Sequence, residues 1–348
     1  MANRAGISVA TVSHVLNGTR HVKKETRERV LAAVNELGYA GHSIARSLRR
    51  GRTAILGLVV SDIENPFFAS LASHVQRAAS SQGYQVIFSD SKESPERERE
   101  IVDALSSQRV DGIILAPVAP QNVELLSTRR TPMVLVNRRV PSVPTPYVVA
   151  DDQLGASLGF DHLWDLGHRV IVVVHNGINR STTVERIEGV RASYARRGMA
   201  FDETLSIDAG PSSNQGEAAL VKLLSRKTRK PTAILALGNW ALLSAIRGLH
   251  ASRLRCPEDI SLVGYGVTSP YWMPSASISM VELPVGQMAH AAVDLCLSQI
   301  EKADHTASVM LPPAFTAGES SAPLHASPST AAGRARRAAD PRAQEEKA

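Results

Sequence analysis

The sequence predicts an α/β protein in which two lobes, each built on a mainly parallel sheet, follow a small helical segment at the amino end. From residue 54 onward, short apolar runs alternate with amphipathic stretches of about 10–15 residues, the pattern of βαβ units. There are more predicted strands than one small sheet would hold. Because single cores stop growing near about 250–300 residues, a chain of 348 residues favours two stacked lobes over one.

The alternation can be followed element by element. Strands are predicted at 54–60, 84–89, 112–116, 133–137, 170–175, 233–237 and 261–265. Helices are predicted at 66–82, 95–108, 153–166, 183–197, 213–226 and 239–250. The last stretch, 323–348, is rich in Ala, Ser, Pro and Arg without apolar periodicity, which is typical of a disordered tail.

Two helices are predicted before the alternation begins, at 8–16 and at about 25–37. Ser8 can cap the first, because its hydroxyl can accept a bond from a free backbone N–H of the first turn. Apolar residues at helical spacing mark the inner faces: Val12, Val15, Leu16, Val30, Leu31, Val34 and Leu37. Residues 43–50 (SIARSLRR) form a third, short and basic helical stretch.

The positive charge is concentrated at the amino end. Residues 1–52 contain ten lysines and arginines against three glutamates, a net charge of +7, whereas the whole chain carries +6. A basic head on a nearly neutral body indicates an anionic polymer such as nucleic acid. A solvated basic surface without a partner is the alternative that charge alone leaves open.

The sequence lacks the signals of several other classes of protein. No stretch approaches the roughly 18 apolar residues of a membrane span, and no signal peptide is recognised, so we expect a cytoplasmic protein. The two cysteines, Cys256 and Cys296, form no disulfide framework or metal motif, and no cofactor is predicted. No catalytic motif such as GxSxG, HExxH or a P-loop occurs, so we expect no enzyme.

Many short motifs, in order from residue 1 to about 321, resemble one family. The stretch AGISVATVSHVLNGTRHVKKETRERVLAAVNELGY resembles the DNA-binding head of the lactose-repressor (LacI/GalR) family, and TVSHV its purine-repressor branch. SIARSLRRGRT resembles the hinge helix of that family. ILGLVVSDIENPFF, RVDGIILAP, VVADDQLGA, HLWDLGHRV and ERIEGV resemble successive landmarks of its effector domain.

The resemblance implies a transcriptional regulator, usually a repressor, that binds a pseudo-palindromic operator in double-stranded DNA as a homodimer. Its domains would be a helix-turn-helix at 1–42, a hinge helix and linker at 43–52, and an effector-binding and dimerisation domain at 53–322. That domain would have two Rossmann-like lobes, as in periplasmic binding proteins, with a small-molecule effector between them. The lobes would comprise about 53–150 with 283–310 and 151–282 with 311–322.

The DNA contacts implied by the resemblance lie on the first predicted helix and the hinge. Residues at the start of a helix in the major groove read base edges, and polar neighbours hold phosphates. In the hinge, Leu48 matches an apolar side chain that the family inserts into the minor groove. The predicted set is Ser8, Val9, Ala10, Thr11, Ser13, His14, Asn17, Thr19, Arg20, Ser43, Ala45, Arg46 and Leu48.

The predicted effector residues follow strands, because ligands of open α/β sheets bind beyond the carboxyl ends of the strands. One of Phe67 and Phe68 is expected to stack on a ring and the other to be core. Arg180 and Thr182 are placed in the loop before the 183–197 helix, and Arg186 in its first turn. The predicted set is Asp62, Asn65, Phe67, Phe68, Arg138, Arg180, Thr182, Arg186, Asn239, Trp240 and Tyr265.

The chain departs from the family pattern at three places. Asn239-Trp240 stands where an Asn-Asp pair is usual, and Gly266 where an Asp is usual, so two acids that commonly hydrogen-bond a sugar or base are absent. A site that keeps arginines and loses carboxylates favours an anionic or aromatic ligand. Met1 falls where a Val is usual, which truncates the first helix of the family and predicts a natural start further upstream.

Two rivals to an effector-controlled regulator stay open. The missing acids also fit a regulator that binds DNA without sensing a ligand. A solute-binding protein could share the two-lobe fold, but it would have a secretion signal and no basic head.

Overall fold

The computed structural model describes residues 2–17, 22–36, 52–127, 131–177, 180–210, 216–267, 277–301 and 307–324. It divides into two compact units, one of Met1–Ala150 with Pro284–Leu311 and the other of Asp151–Leu283 with Pro312–Ala348. The chain therefore passes between the units three times. The predicted hinge at 43–50 and nearly all of the predicted tail lie outside the described residues.

The first unit is built on a six-stranded sheet that is parallel throughout. The strands are β1 (Ile55–Val60), β2 (Gln85–Asp90), β3 (Gly112–Leu115), β4 (Met133–Val136), β5 (Tyr147–Ala150) and β11 (Val309–Leu311). Their order in the sheet is β11-β5-β4-β3-β1-β2, and β3 and β4 are buried at every position. The helices are α4 (Pro66–Ser81), α5 (Pro95–Ser107), α6 (Pro120–Leu126) and α11 (Val285–Glu301).

The second unit repeats this plan with one antiparallel edge strand. The strands are β6 (Ile171–His175), β7 (Ser206–Asp208), β8 (Ala233–Ala236), β9 (Ser261–Gly266), β10 (Ser279–Glu282) and β12 (Ala314–Thr316). Their order in the sheet is β12-β10-β9-β8-β6-β7, and of these described strands only β12 runs antiparallel to its neighbour. The helices are α7 (Asp152–Asp165), α8 (Ser181–Ala195), α9 (Gly216–Leu224) and α10 (Asn239–Ala251), with one 3-10 turn (Glu203–Leu205).

In the second unit, apolar clusters cover both faces of the sheet. Val172 and Val174 of β6 belong to a cluster with α9 and α10, whereas Ile171 and Val173 belong to one with α7 and α8. Successive side chains of a strand point to opposite faces, so a parallel sheet covered by helices on both faces needs the nearly unbroken apolar strands seen here. No described helix is long and apolar enough to cross a membrane.

The sequence predicted the α/β class, and all seven predicted strands and six predicted helices of the two lobes are present within a few residues of the expected ends. It missed β5, β7, β10, β11 and β12, and the helices α6 and α11. The missed strands have three or four residues each, too few to show a period of two. Helix α8 begins at Ser181 rather than Thr183, which changes the positions of two predicted site residues, Thr182 and Arg186.

Candidate nucleic-acid interface and effector site

The described residues of the amino-terminal head form three helices: α1 (Ala2–Ala5), α2 (Val9–Asn17) and α3 (Lys24–Glu36). Gly6, with φ +63°, makes the turn between α1 and α2, a left-handed conformation that glycine adopts without steric cost. As predicted, Ser8 caps α2, because its Oγ accepts a 3.1 Å hydrogen bond from the amide of Thr11. The arrangement is a helix-turn-helix followed by a supporting helix.

The inner sides of α2 and α3 form a small core. Val12, Val15 and Val30 are buried together, and Ala2, Ile7 and Val22 pack against them. A guanidinium nitrogen of Arg29 on α3 also donates to the carbonyl of Ala5, where the C-terminal end of α1 leaves carbonyls without partners in the helix. Of the predicted inner residues, Leu16, Leu31, Val34 and Leu37 have side chains outside the described residues.

The opposite side of α2 is open. Val9 is 76% exposed, Ala10 is exposed, and Thr11 and His14 are half-buried. These four predicted DNA contacts therefore lie near one another at the start and middle of one helix. The side chains of Ser13 and Asn17, and the whole of Thr19, Arg20, Ser43, Ala45, Arg46 and Leu48, lie outside the described residues.

In the first unit, the residues after β1 mainly start helix α4. The amide of Phe67 donates to Asn65 Oδ1 at 3.1 Å, so Asn65 is the N-cap, and Asp62 Oδ1 accepts from the amide of Glu64. Phe67 and Phe68 are only 4% and 2% exposed and meet edge to face, with ring centroids 5.1 Å apart. Both rings are therefore buried, and the stacking of one of them on a ligand stays a prediction.

Arg138 extends across the carboxyl edge of the first sheet, the edge at which its parallel strands end. It follows β4, yet its Nη1 donates to the carbonyl of Pro117 beyond β3 at 3.0 Å. The same guanidinium donates two hydrogen bonds to Glu93, which lies beyond β2. Nη1 donates to Oε2 at 3.1 Å and Nη2 donates to Oε1 at 2.7 Å. Arg138 is 7% exposed, so this cation is buried and paired.

A second acid, Glu98 on α5, fixes the loop that Arg138 touches. Its Oε2 accepts a 2.6 Å bond from the amide of Val118, and its Oε1 accepts from Asn122 Nδ2 at 2.9 Å. Burial raises the pKa of Glu98, while the hydrogen bonds and the charge of Arg138 act in the opposite direction. A glutamate on a helix ordinarily faces solvent, and no sequence signal marked this one.

In the second unit, Arg186 occupies a comparable position. Its Nε donates to Asp152 Oδ1 at 2.8 Å and its Nη1 to the carbonyl of Leu237 beyond β8 at 3.0 Å. Tyr265 on β9 places its ring 4.1 Å from the guanidinium carbon and donates its hydroxyl proton to the same Asp152 oxygen at 2.6 Å. Burial and the negative charge of Asp152 raise the pKa of Tyr265 well above its usual value, which keeps the hydroxyl a donor.

The other predicted residues of this unit gather around the ends of β6, β8 and β9. Asn239 begins α10 and donates from Nδ2 to the carbonyl of Val267 at 3.0 Å, and Trp240 is half-buried in the same turn. Arg180 lies in the loop directly before α8, as predicted, whereas Thr182 lies in the first turn of the helix and Arg186 in its second. Arg180 Nη1 donates to the carbonyl of Asn176 at 3.3 Å.

These contacts correct one inference from sequence. Arg138 and Arg186 were expected to face a site that has lost its carboxylates, but Glu93 and Asp152 pair with them. There is also no space for a side chain at residue 266, because a Cβ added to Gly266 would lie 2.4 Å from Asn239 Oδ1. The position of the missing acid is therefore occupied by a neutral carboxamide.

The helical head and the two α/β units define a class of protein, a DNA-binding transcriptional regulator with an effector-binding domain of periplasmic-binding-protein type. Residues 1–41 match the family model for bacterial regulatory proteins of the lacI family, and residues 160–321 match that of a periplasmic binding protein-like domain. The chain is 30% identical to the HTH-type transcriptional repressor PurR of Aliivibrio fischeri over 312 residues, 88% of this chain and 92% of that one. This protein belongs to the lacI family of bacterial regulatory proteins.

Solved structures agree on the fold. The Lac repressor dimer bound to operator and the anti-inducer ONPF aligns with a TM-score of 0.80 at 24% identity, covering 92% of this chain and 97% of that one. A complex of the transcriptional regulator CelR with cellobiose aligns with a TM-score of 0.66 at 29% identity, covering 92% and 98%.

Proposed function

We propose that this protein is a cytoplasmic homodimeric repressor that reads a pseudo-palindromic operator with α2 and releases or tightens it when a small molecule binds at the carboxyl edges of its sheets. The observation that carries the proposal is the open outer face of α2. A buried valine core holds that helix from behind, so the exposed Val9 and Ala10 can enter a major groove while that core stays packed. We expect no enzymatic activity.

Val9 and Ala10 have no hydrogen-bonding side chain, so they would recognise the methyl groups of thymine. His14 can donate to or accept from a purine edge. Dimerisation would present two copies of α2 to two half-sites, as two-fold symmetric operators require. The Lac repressor, similar in fold, has been solved as a dimer on its operator.

The effector side of the proposal is supported by the polar residues at the ends of the strands. Arg138, Arg180 and Asn239 follow strands in their own units. Arg186 reaches the end of β8 from α8, where it donates to the carbonyl of Leu237. Ligands of α/β sheets bind at such strand ends. CelR, similar over most of its length, has been solved with cellobiose. Since both buried arginines here have internal acid partners, the ligand would have to recognise a largely neutralised surface or replace one of those acids.

A regulator that binds DNA without an effector is the second candidate. The ion pairs Arg138–Glu93 and Arg186–Asp152 favour it, because they satisfy internally the cations that an effector would otherwise meet. The two candidates agree on DNA and differ in the response to small molecules.

The test is fluorescence anisotropy of the full chain on DNA selected from a random pool and on DNA upstream of its gene. Specific binding should survive competitor DNA and weaken steeply with salt, as counterions are released. Cellobiose, purine bases, acetate and inorganic phosphate are then added to the complex. A change in affinity with one of them supports effector control, no change with any favours the second candidate, and the absence of specific binding to any selected DNA contradicts both.

A further inference from the structure

The two buried arginine–carboxylate pairs differ in how firmly the acid is held. Asp152 lies in the first turn of α7, its side chain is 2% exposed, and Tyr265 donates to the oxygen that Arg186 also binds. Glu93 lies in a loop, and its side chain is 25% exposed although that of Arg138 is only 8% exposed. Glu93 can therefore be reached from solvent, whereas Asp152 is enclosed.

The loop that carries Glu93 is also conformationally strained. Lys92 and Glu93 have φ angles of +51° and +55°, in the left-handed region that residues with a Cβ rarely occupy. Two consecutive residues of this kind persist only where the surroundings hold them. Here the amide of Glu93 donates to the carbonyl of Ser61 at 2.8 Å, and its carboxylate is held by Arg138.

Two polar groups at the same edge of the sheet have no hydrogen-bond partner within the described part of the chain, Arg138 Nε and Ser61 Oγ. Ser61 is fully buried and Arg138 is 7% exposed. Both residues are linked to Glu93, Ser61 through its carbonyl and Arg138 through its guanidinium. Buried polar groups are nearly always paired. A ligand at this edge could therefore hydrogen-bond to Arg138 Nε or Ser61 Oγ, to which Glu93 does not bond.

We propose that Arg138 is the centre of an anion site whose built-in occupant is Glu93, and that the carboxylate or phosphate of a ligand displaces Glu93 from it. The fork of Arg138 already holds a carboxylate through two parallel bonds, the geometry that arginine uses for such anions. A ligand with a further oxygen could also bind Nε or the Ser61 hydroxyl. Departure of Glu93 would relieve the strain at 92–93.

This proposal rests on the proposed function, because it makes the first-unit edge the place where an effector is sensed. It assigns Glu93 the role of a specificity-determining residue: ligands without a negative charge could not compete for Arg138.

The test measures anion binding directly on the full chain, by thermal unfolding in acetate or inorganic phosphate against chloride at equal ionic strength. A ligand that binds only the folded state raises the unfolding midpoint. The variant Glu93→Gln leaves Arg138 without its counter-charge and should reach half of the maximal rise at an anion concentration at least tenfold lower than the unmodified chain. Glu203→Gln, which removes an exposed partner of Arg191, makes the same charge change as a control.

The expected gain must disappear in the double variant Glu93→Gln/Arg138→Met. If Glu93→Gln is unfolded in chloride, acetate or phosphate should restore its folding. The proposal is overturned if Glu93→Gln gains no anion affinity, if Glu203→Gln gains as much, or if an unfolded Glu93→Gln is not rescued. Operator binding measured on the same samples separates the outcomes, since a failed anion site with intact operator binding leaves the proposed function standing.

Discussion

The hydroxyl of Tyr265 and the carboxylate of Asp152 are joined by a 2.6 Å hydrogen bond although 113 residues separate them in the chain. Tyr265 lies near the carboxyl end of β9 and is fully buried, and Asp152 lies in the first turn of α7. The bond therefore ties a strand end to a helix start within the second unit. The oxygen concerned also accepts from Arg186, so the tyrosine fixes the direction of the acid that holds the arginine.

Replacing Tyr265 by Phe should destabilise the second unit by about 1.5–3 kcal/mol, the value of a hydrogen bond to a charged group. The ring and its contact with Arg186 would stay, so the loss isolates the hydroxyl. Urea unfolding followed by circular dichroism measures it. Tyr194→Phe, in a tyrosine packed by its ring in the same unit, is the control, and an equal loss in both variants would show that the bond to Asp152 contributes nothing particular.

Replacing Arg186 by Met should cost about 3–5 kcal/mol of folding free energy, because it leaves the carboxylate of Asp152 buried without its cation. The double variant Asp152→Asn/Arg186→Met should recover a large part of that loss, since no uncompensated charge remains. Urea unfolding of the two variants forms the comparison. Equal stability of the single and double variants would mean that Asp152 is not held as an ion by Arg186.

The sequence predicted the layers of the fold because parallel strands covered on both faces consist of unbroken apolar runs, as Ile113–Leu115 and Val172–Val174 do. The prediction failed where an apolar run is short or is interrupted by polar residues. Strand β7 has three residues, with polar Ser206 and Asp208 around Ile207. Helix α11 was missed although its buried residues, Val285, Met288, Ala289 and Ala292 among them, follow helical spacing, so that signal was available.

The site was predicted less completely than the fold. Arg138 and Arg186 were found because they resemble family positions, but their partners Glu93 and Asp152 were not. A carboxylate gives no periodic signal, and its pairing depends on contacts 45 and 34 residues away along the chain. Only tertiary structure could show that both arginines already have acid partners, so an anionic ligand would have to displace one of these acids.

Replacing Val9 by Ala should weaken specific operator binding by roughly five- to tenfold, because two methyl carbons would no longer meet thymine methyl groups. The salt dependence of binding should not change, since no phosphate contact is lost. Anisotropy at two salt concentrations measures both. Val12→Ala, in a residue only 7% exposed, should instead lower the stability of the head. Unchanged operator affinity in Val9→Ala would contradict the assignment of this face to DNA.

Acidification should destabilise the second unit through His168. This residue is 2% exposed, with Nδ1 at 3.0 Å from Thr232 Oγ1 and Nε2 at 3.1 Å from the carbonyl of Ala322. Because a carbonyl only accepts, Nε2 carries a proton, and the hydroxyl of Thr232 can donate to Nδ1 of the neutral ring. Burial lowers the pKa of His168, as do the nearby His162 and Arg169, while the bond to Ala322 acts in the opposite direction.

Since the pKa is lower in the folded than in the unfolded chain, the unfolded state binds more protons near pH 6. The contribution of His168 to stability is therefore complete above its unfolded pKa of about 6.5 and decreases as the pH falls below it. His162 and His175 shift in the same direction, so they add to the effect. Urea unfolding at pH 7.5 and 5.5 should show a smaller difference for His168→Gln than for the unmodified chain. An unchanged difference would mean that His168 does not become protonated on unfolding in this range.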